Sequence, residues 1–315
     1  MHFRPIGVVA LVVAALLPVS RAVAASPRDS LVVPVAWLAQ HLKDPDLVLL
    51  HVGDKAEYDA SHIPGARFVT VRDLAAPMAA PGEGLTLEMP PADPLREKLS
   101  ALGISDTSRV VVYFGKDWVS PSTRILFTLD YAGLGERASL LDGGQPAWVR
   151  EGQGVTTLVP EVRPGVLSPL KVRATIVNAD FVREHAASKG HVLIDARAPE
   201  FYDGASPGGP KDARRSGHIV GAVSVPFADT TNDDLLLRSP AELQARFAKA
   251  GVKPGDTVIA YCHIGQQATA VVFAARTLGY TALLYDGSFE DWARHDYPID
   301  NPAAPKTSPS AKESR

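Results

Sequence analysis

The stretch "TVIAYCHIGQQATAVVFAARTLGY" (residues 257–280) sets a short, continuously apolar run before a glycine-containing loop, then an apolar segment of helical length that stops at glycine. Continuous rather than alternating apolar residues mark a strand buried on both faces. The segment "ATAVVFAARTLG" (residues 268–279) reads as a buried helix with a glycine stop. Strand, loop and helix in that order form the unit of a parallel α/β sheet, with the loop at the strand's carboxyl end. The same unit stands upstream as "RVVVYF" (residues 109–114) followed by "STRILFTLDYAG" (residues 122–133).

Working outward, the whole chain proves to be two copies of one plan. "VLLHVGDKAEYDASHIPGA" (residues 48–66) reads against "VLIDARAPEFYDG" (residues 192–204) and then "SGHIVGA" (residues 216–222). Trp37 aligns with Phe181, His41 with His185 and Tyr58 with Tyr202, each pair 144 positions apart. His62 aligns with His218 at 156, so the second copy carries twelve extra residues around "ASPGGPKDARRS" (residues 205–216). "LGISDTSRVVVYF" (residues 102–114) matches "AGVKPGDTVIAYC" (residues 250–262) at 148, and "LLDGG" (residues 140–144) matches "LLYDGS" (residues 283–288) around Asp142 and Asp286. Length differences of this kind belong in surface connections.

A period this long gives each copy its own core. The expected fold class is therefore α/β, two tandem domains, each a parallel sheet flanked by helices on both faces. The sequence divides into a first domain (residues 26–158), a proline-rich linker "VPEVRPGVLSPL" (159–170), a second domain (171–300) and a polar, disordered tail (301–315).

With 315 residues, 46% of them hydrophobic and 21% charged, the chain can bury two cores of ordinary size. A net charge of −3 provides no footprint for nucleic acid or an acidic membrane surface. The first 25 residues stand apart from the fold. Arg4, the twelve-residue apolar run "IGVVALVVAALL" (residues 6–17) and the small residues "AVAA" (22–25) lead us to expect a cleavable signal peptide, cut near Ala24. Twelve apolar residues fall short of the roughly 20 that span a bilayer. The expected location is the periplasm or the medium, as a monomer without stable membrane association after cleavage.

Export gives weight to Cys262, the single cysteine of the chain. An exported protein commonly pairs its cysteines, and this one has no partner. It opens the loop "CHIGQQ" (Cys262, His263, Ile264, Gly265, Gln266, Gln267) between strand and helix. Loop amides and the free N–H groups of a first helical turn make an anion-holding concavity, and Gly265 can take the positive φ such a cup needs. Those donors stabilise a thiolate, which is a nucleophile. In the first copy the equivalent residue is Phe114, followed by "GKDWVS" without the glycine spacing, so the two positions do not fill the same core slot.

On these residues the chain resembles the tandem-domain rhodaneses, the thiosulfate and 3-mercaptopyruvate sulfurtransferases. The motifs that carry the resemblance are "LIDAR" (residues 193–197), "SGHIVGA" (216–222), "YCHIGQQA" (261–268) and "DGSFEDW" (286–292), with weaker copies in the first half. The resemblance implies a first domain without catalytic cysteine and a second domain that carries it. It also implies a two-step transfer through a Cys262 persulfide, from a small anionic sulfur donor such as thiosulfate to a thiol or cyanide, with no cofactor and no metal. Several family members that use thiosulfate carry basic residues directly after the cysteine, whereas this chain has His263 and Ile264. Charge for the donor anion must then come from elsewhere, with Arg197, Arg214 and Arg215 the nearest candidates and Asp195 a support at its strand end.

Two other classes compete. A cysteine phosphatase or arsenate reductase wants an arginine six residues past the cysteine, where this chain has Ala268. A non-catalytic sulfur-binding or partner-binding module could keep the fold, since fold alone never establishes activity. His62 and His218 hold one slot in two domains and are expected to be structural rather than metal ligands. Trp118 and Trp292 are expected to pack.

Overall fold

The computed structural model describes residues 26–78, 84–116, 118–207, 215–295 and 297–304. The leader (residues 1–25), Arg214 and residues 305–315 of the expected tail lie outside the described residues. Twelve strands occur among them: β1 Val32–Val33, β2 Leu47–Val52, β3 Arg67–Val69, β4 Arg109–Phe114, β5 Ala138–Leu141, β6 Ile176–Val177, β7 His191–Asp195, β8 His218–Ile219, β9 Val223–Ser224, β10 Thr257–Tyr261, β11 Thr281–Tyr285 and β12 Ile299–Asp300. They form two five-stranded sheets of orders β1-β5-β4-β2-β3 and β6-β11-β10-β7-β9, and an antiparallel pair of β12 and β8. All pairings in the two large sheets are parallel. The central strands are those the apolar runs mark. The two- and three-residue edge strands are too short to carry a periodic signal, and the sequence does not announce them.

The repeat survives as repeated contacts. His62 stacks on Tyr58 with ring centroids 3.8 Å apart, and His218 stacks on Tyr202 at 3.7 Å. Nδ1 of each histidine lies 2.7 or 2.8 Å from the carbonyl of the tyrosine on which it stacks. Both are structural, as their shared slot implied. His41 on Trp37 and His185 on Phe181 repeat a second stack, each at 4.0 Å.

One expectation needs correction: the copies do not each own a separate core. The outer faces do, around Leu38, Tyr58 and Trp148 in the first domain and Tyr261, Phe289 and Trp292 in the second. The inner faces merge into one cluster that contains Leu50, Val112 and Phe127 with Val258, Val271 and Leu284. The reason lies in two helices. Val119–Tyr131 buries eleven of its thirteen residues and Ala268–Thr277 nine of its ten, and a helix buried on all sides needs neighbours on all sides. The two pack on each other, with Thr123 Oγ1 and Thr269 Oγ1 2.9 Å apart. The first helix begins three residues ahead of the apolar segment that marks it in the sequence.

Polar groups lock the same interface. Asp130 receives Arg173 at 2.8 Å and Arg276 at 2.5 Å. Arg124, on the first domain's inner helix, reaches Asp286 of the second at 2.6 Å with both side chains under 10% exposed. Its other bonds run to the carbonyls of Gly265 at 3.0 Å and Leu87 at 2.5 Å. The linker residues 159–170 hold no helix or strand, yet they run along the first domain, where Val166 accepts from the Asp106 amide at 3.1 Å and Leu167 is buried. The described start of the tail is also held, with Asn301 on Ser216 and Ala303 on Asp203, both at 3.0 Å.

Because removing one member strands a buried charge, Arg124→Met should destabilise the chain by about 3–5 kcal/mol. Arg124→Met with Asp286→Leu should recover most of that loss. Urea unfolding of the four proteins in the cycle measures both, and strictly additive losses would show that the pair is not coupled.

Candidate active site

Strand β10 ends at Tyr261, and Cys262 follows at the strand's carboxyl end with no exposed surface. Its amide donates to Ser288 Oγ at 3.1 Å, while the Ser288 hydroxyl donates to the Tyr285 carbonyl at 2.9 Å. The carbonyls of Cys262 and His263 accept from the amides of Phe289 and Glu290 at 3.0 and 2.9 Å. The cysteine loop is thus laced to the turn that starts the helix Ser288–Arg294. Ser288 holds φ at +52°, a conformation a non-glycine residue enters at a cost of order 1 kcal/mol.

Gly265 has φ +79°, and a Cβ there would stand 2.5 Å from the Asp286 carbonyl oxygen. No other residue fits that position. Among the described residues, no backbone or side-chain group accepts from the amides of His263, Ile264, Gly265, Gln266, Gln267 or Ala268. Six consecutive donors therefore remain available beside the thiol, continuous with the first turn of a ten-residue helix. Gln266 Nε2 donates to Ser120 Oγ of the first domain at 3.3 Å, and the buried Gln267 Oε1 has no partner.

Beneath the loop lies a buried polar group. Tyr261 OH donates to Asp195 Oδ2 at 2.7 Å and accepts from the Ile219 amide at 3.0 Å. Burial and the neighbouring carboxylate raise the Tyr261 phenol well above its ordinary range, which keeps it a donor. Arg197 forks onto Asp195, with Nη2 to Oδ2 at 2.6 Å and Nε to Oδ1 at 3.0 Å, and Nη2 also donates to the Gly217 carbonyl at 2.7 Å. Burial works against its charge, but the bonds and charge of Asp195 outweigh it and leave the guanidinium above its usual range.

Two expectations, for Arg197 and Arg215, are corrected by these contacts. Arg197 is no free arm for a donor anion, because it has no exposed surface and its guanidinium is bound to Asp195 and Gly217. Arg215 points its guanidinium at the carbonyls of His295 and Tyr297 instead, bonds that cap the end of the last helix. Asp195 supports the site through Tyr261 and Arg197 rather than through bonds to the cysteine loop's own backbone. Arg214 is not among the described residues.

His263 places its ring edge-on to Phe201, centroids 4.6 Å apart. Burial first, then the Arg197 charge, lowers its imidazole to about 4. Trp118, half exposed, stacks across the domain interface on Phe227 at 5.5 Å, while Trp292 is buried and donates to the Pro298 carbonyl at 3.1 Å. In the first copy Phe114 takes the cysteine position and Gly144 the Ser288 position. A Cβ on Gly144 would lie 2.7 Å from the Phe114 ring, so nucleophile and serine are exchanged together for a large residue over a small one.

The Rhodanese-like domain model matches residues 34–151 and again 178–295. The chain belongs to the rhodanese family. This rhodanese is 31% identical to the sulfur carrier protein TtuD of Thermus thermophilus, over 84% of this chain and 94% of that protein. It is 30% identical to the thiosulfate sulfurtransferase of Rattus norvegicus over 84% and 93%, respectively. A protein of Pseudomonas aeruginosa named "Probable 3-mercaptopyruvate sulfurtransferase" shares 33% identity over 81% of this chain and 92% of its own length. The rhodanese is accordingly a sulfurtransferase, with a sulfur donor and a sulfur acceptor as its substrates.

Sequence reasoning missed Ser288 and Arg124. Ser288 had a signal, since it stands in "DGSFEDW" where the first copy has glycine. Arg124 had none, because its partner is 162 residues away.

Two imidazoles, the fully buried His51 and the partly buried His263, give the rhodanese a pH signature. His51, lowered to about 4 by burial and by His62, behaves like His263. Both stay unprotonated in the folded chain down to about pH 4, whereas the unfolded chain takes up protons near 6.5. Stability should therefore fall as pH drops from 6.5 towards 4, by on the order of 1 kcal/mol per pH unit for each histidine. Urea unfolding at several pH values should give a shallower slope for His263→Gln than for the natural protein. Identical slopes would contradict the assignment.

Proposed function

We propose that this rhodanese takes the sulfane sulfur of thiosulfate, or the thiol sulfur of 3-mercaptopyruvate with breakage of its C–S bond and pyruvate enolate as the leaving group, and passes it through a Cys262 persulfide to cyanide or a thiol. The observation that carries the reading is the single cysteine placed before six unengaged amides at a helix amino end. The Cys262 thiolate attacks the outer sulfur of thiosulfate. The sulfur–sulfur bond of the donor breaks, and sulfite leaves with the electron pair. The enzyme then holds Cys262–S–S⁻, whose terminal negative charge the loop amides stabilise. In the second step cyanide or a thiolate attacks that terminal sulfur, the Cys262 Sγ–S bond breaks, and the thiolate returns. Atoms and electrons balance without a cofactor.

The buried Arg197–Asp195–Tyr261 group supports the loop from below. The complete burial of Cys262 favours small donors, because a bulky one must first displace loop side chains. The names of the relatives support both donors.

Cyanide-coupled turnover with each donor tests the reading. Cys262→Ser should lose roughly a thousandfold or more of the turnover while unfolding at the same urea midpoint, since a hydroxyl is too weak an acid to replace the thiolate. Arg215→Ala should leave the donor KM within about twofold, as its guanidinium is bound elsewhere. Turnover surviving in Cys262→Ser would sink the proposal.

A further inference from the structure

We propose that the first domain carries a second ligand site, in the cavity at the carboxyl ends of β2 and β4, which binds a small molecule through a primary ammonium group. The cavity measures about 320 Å3 and is lined by Gly53, Glu57, Phe114, Gly115, Lys116 and Trp118, among others. That is large enough for a small organic ligand. It also occupies the position where open α/β sheets bind their ligands.

The comparison of the two copies shows how the cavity arises. Counted along the repeat, Gly53 stands where the second copy has Arg197, and Gly115 stands where it has His263. Those two side chains fill the second domain beneath and beside the cysteine, with Phe201 packed on His263. In the first domain both positions are cut back to glycine, and the Phe201 equivalent is Glu57. The silent copy has therefore not been plugged. Its nucleophile has been exchanged for Phe114, and a different polar surface has been opened beside it.

Behind that surface lies an unsatisfied imidazole. His51 has no exposed surface, and neither ring nitrogen has a hydrogen-bond partner. Two buried polar atoms of this kind are costly unless something meets them. The His51 Nε2 atom lies 3.5 Å from where a Cβ of Gly53 would sit and 3.2 Å from that of Gly115, so it faces the two glycines that line the cavity. Glu57 Oε2 approaches the same two points, at 3.8 and 2.5 Å. An imidazole nitrogen and a carboxylate oxygen thus converge on one spot.

The charges select the ligand. The cavity is lined by Asp54 and Glu57 against Lys116, and Lys116 is largely exposed at 3.7 Å from Glu57. A net negative charge among the described lining residues, with the His51 imidazole directly behind Gly53 and Gly115, suits a group that carries positive charge and several N–H donors. A primary ammonium has both, and Phe114, Val71 and Trp118 offer an apolar wall for its carbon chain.

Calorimetric titration of the Cys262→Ser protein, which removes the thiol of the other domain, tests the site with n-propylamine as probe and butyrate as its anionic counterpart. n-Propylamine should bind with a Kd on the order of 1 mM or tighter, and butyrate should not bind. Glu57→Gln should weaken n-propylamine roughly tenfold or more. Gly53→Ala should do the same without altering the unfolding midpoint, because its methyl meets nothing closer than 3.5 Å yet stands between His51 Nε2 and Glu57 Oε2. Absence of n-propylamine binding, equal binding of butyrate, or affinity unchanged in both variants would each overturn the proposal. None of these outcomes depends on whether Cys262 transfers sulfur.

Discussion

Arg124 carries a positive charge from the inner helix of the first domain into the second, where it meets Asp286 and the Gly265 carbonyl in a fully packed interface. Separating the pair would strand a buried charge, so it favours this arrangement of the two domains. That arrangement fixes much else. The Asp286 carboxylate also accepts from the Met89 amide at 2.8 Å, which draws the first domain's 84–89 segment over the second domain, where Thr86 bonds Glu290 at 2.9 Å. The carbonyl of Gly265 is turned towards Arg124, and with it the peptide unit in the middle of the cysteine loop. The first domain is thereby a structural part of the loop's geometry, although it has no cysteine of its own.

Within that frame the two copies diverge by matched exchanges of size and charge. The cysteine copy keeps a small residue at 262, a strained serine at 288 and a buried Asp195–Arg197 pair under the loop. Its counterpart has Phe114 above Gly144, and His51 with Gly53 where the ion pair would be. Each exchange is paired with another in contact with it, as close packing requires. Neither site can be converted into the other by one substitution.

Much of this was legible in the sequence. The apolar runs marked the central strands because both faces of a parallel sheet are buried, and the constant offsets between matching residues exposed the repeat. The lone cysteine beside Gly265 marked the loop. Three features were not legible, each for a physical reason. A two-residue edge strand such as β6 has no period. Arg197 looks like a surface cation until its fork onto Asp195, two residues away, is seen to be sealed by Phe289 at 4.2 Å. Arg124 lies in a helix packed between its own sheet and the other domain's helix Ala268–Thr277, and no local pattern reports a neighbour across such an interface.

The central claim is that sulfur rests on Cys262 between the two half-reactions. Intact-mass spectra of the natural protein after brief treatment with thiosulfate, followed by peptide mapping, test it most directly. The peptide that contains Cys262 should gain one sulfur, about 32 mass units, and lose it when cyanide is added. Turnover without any such gain, or a gain that maps elsewhere or persists in cyanide, would contradict it.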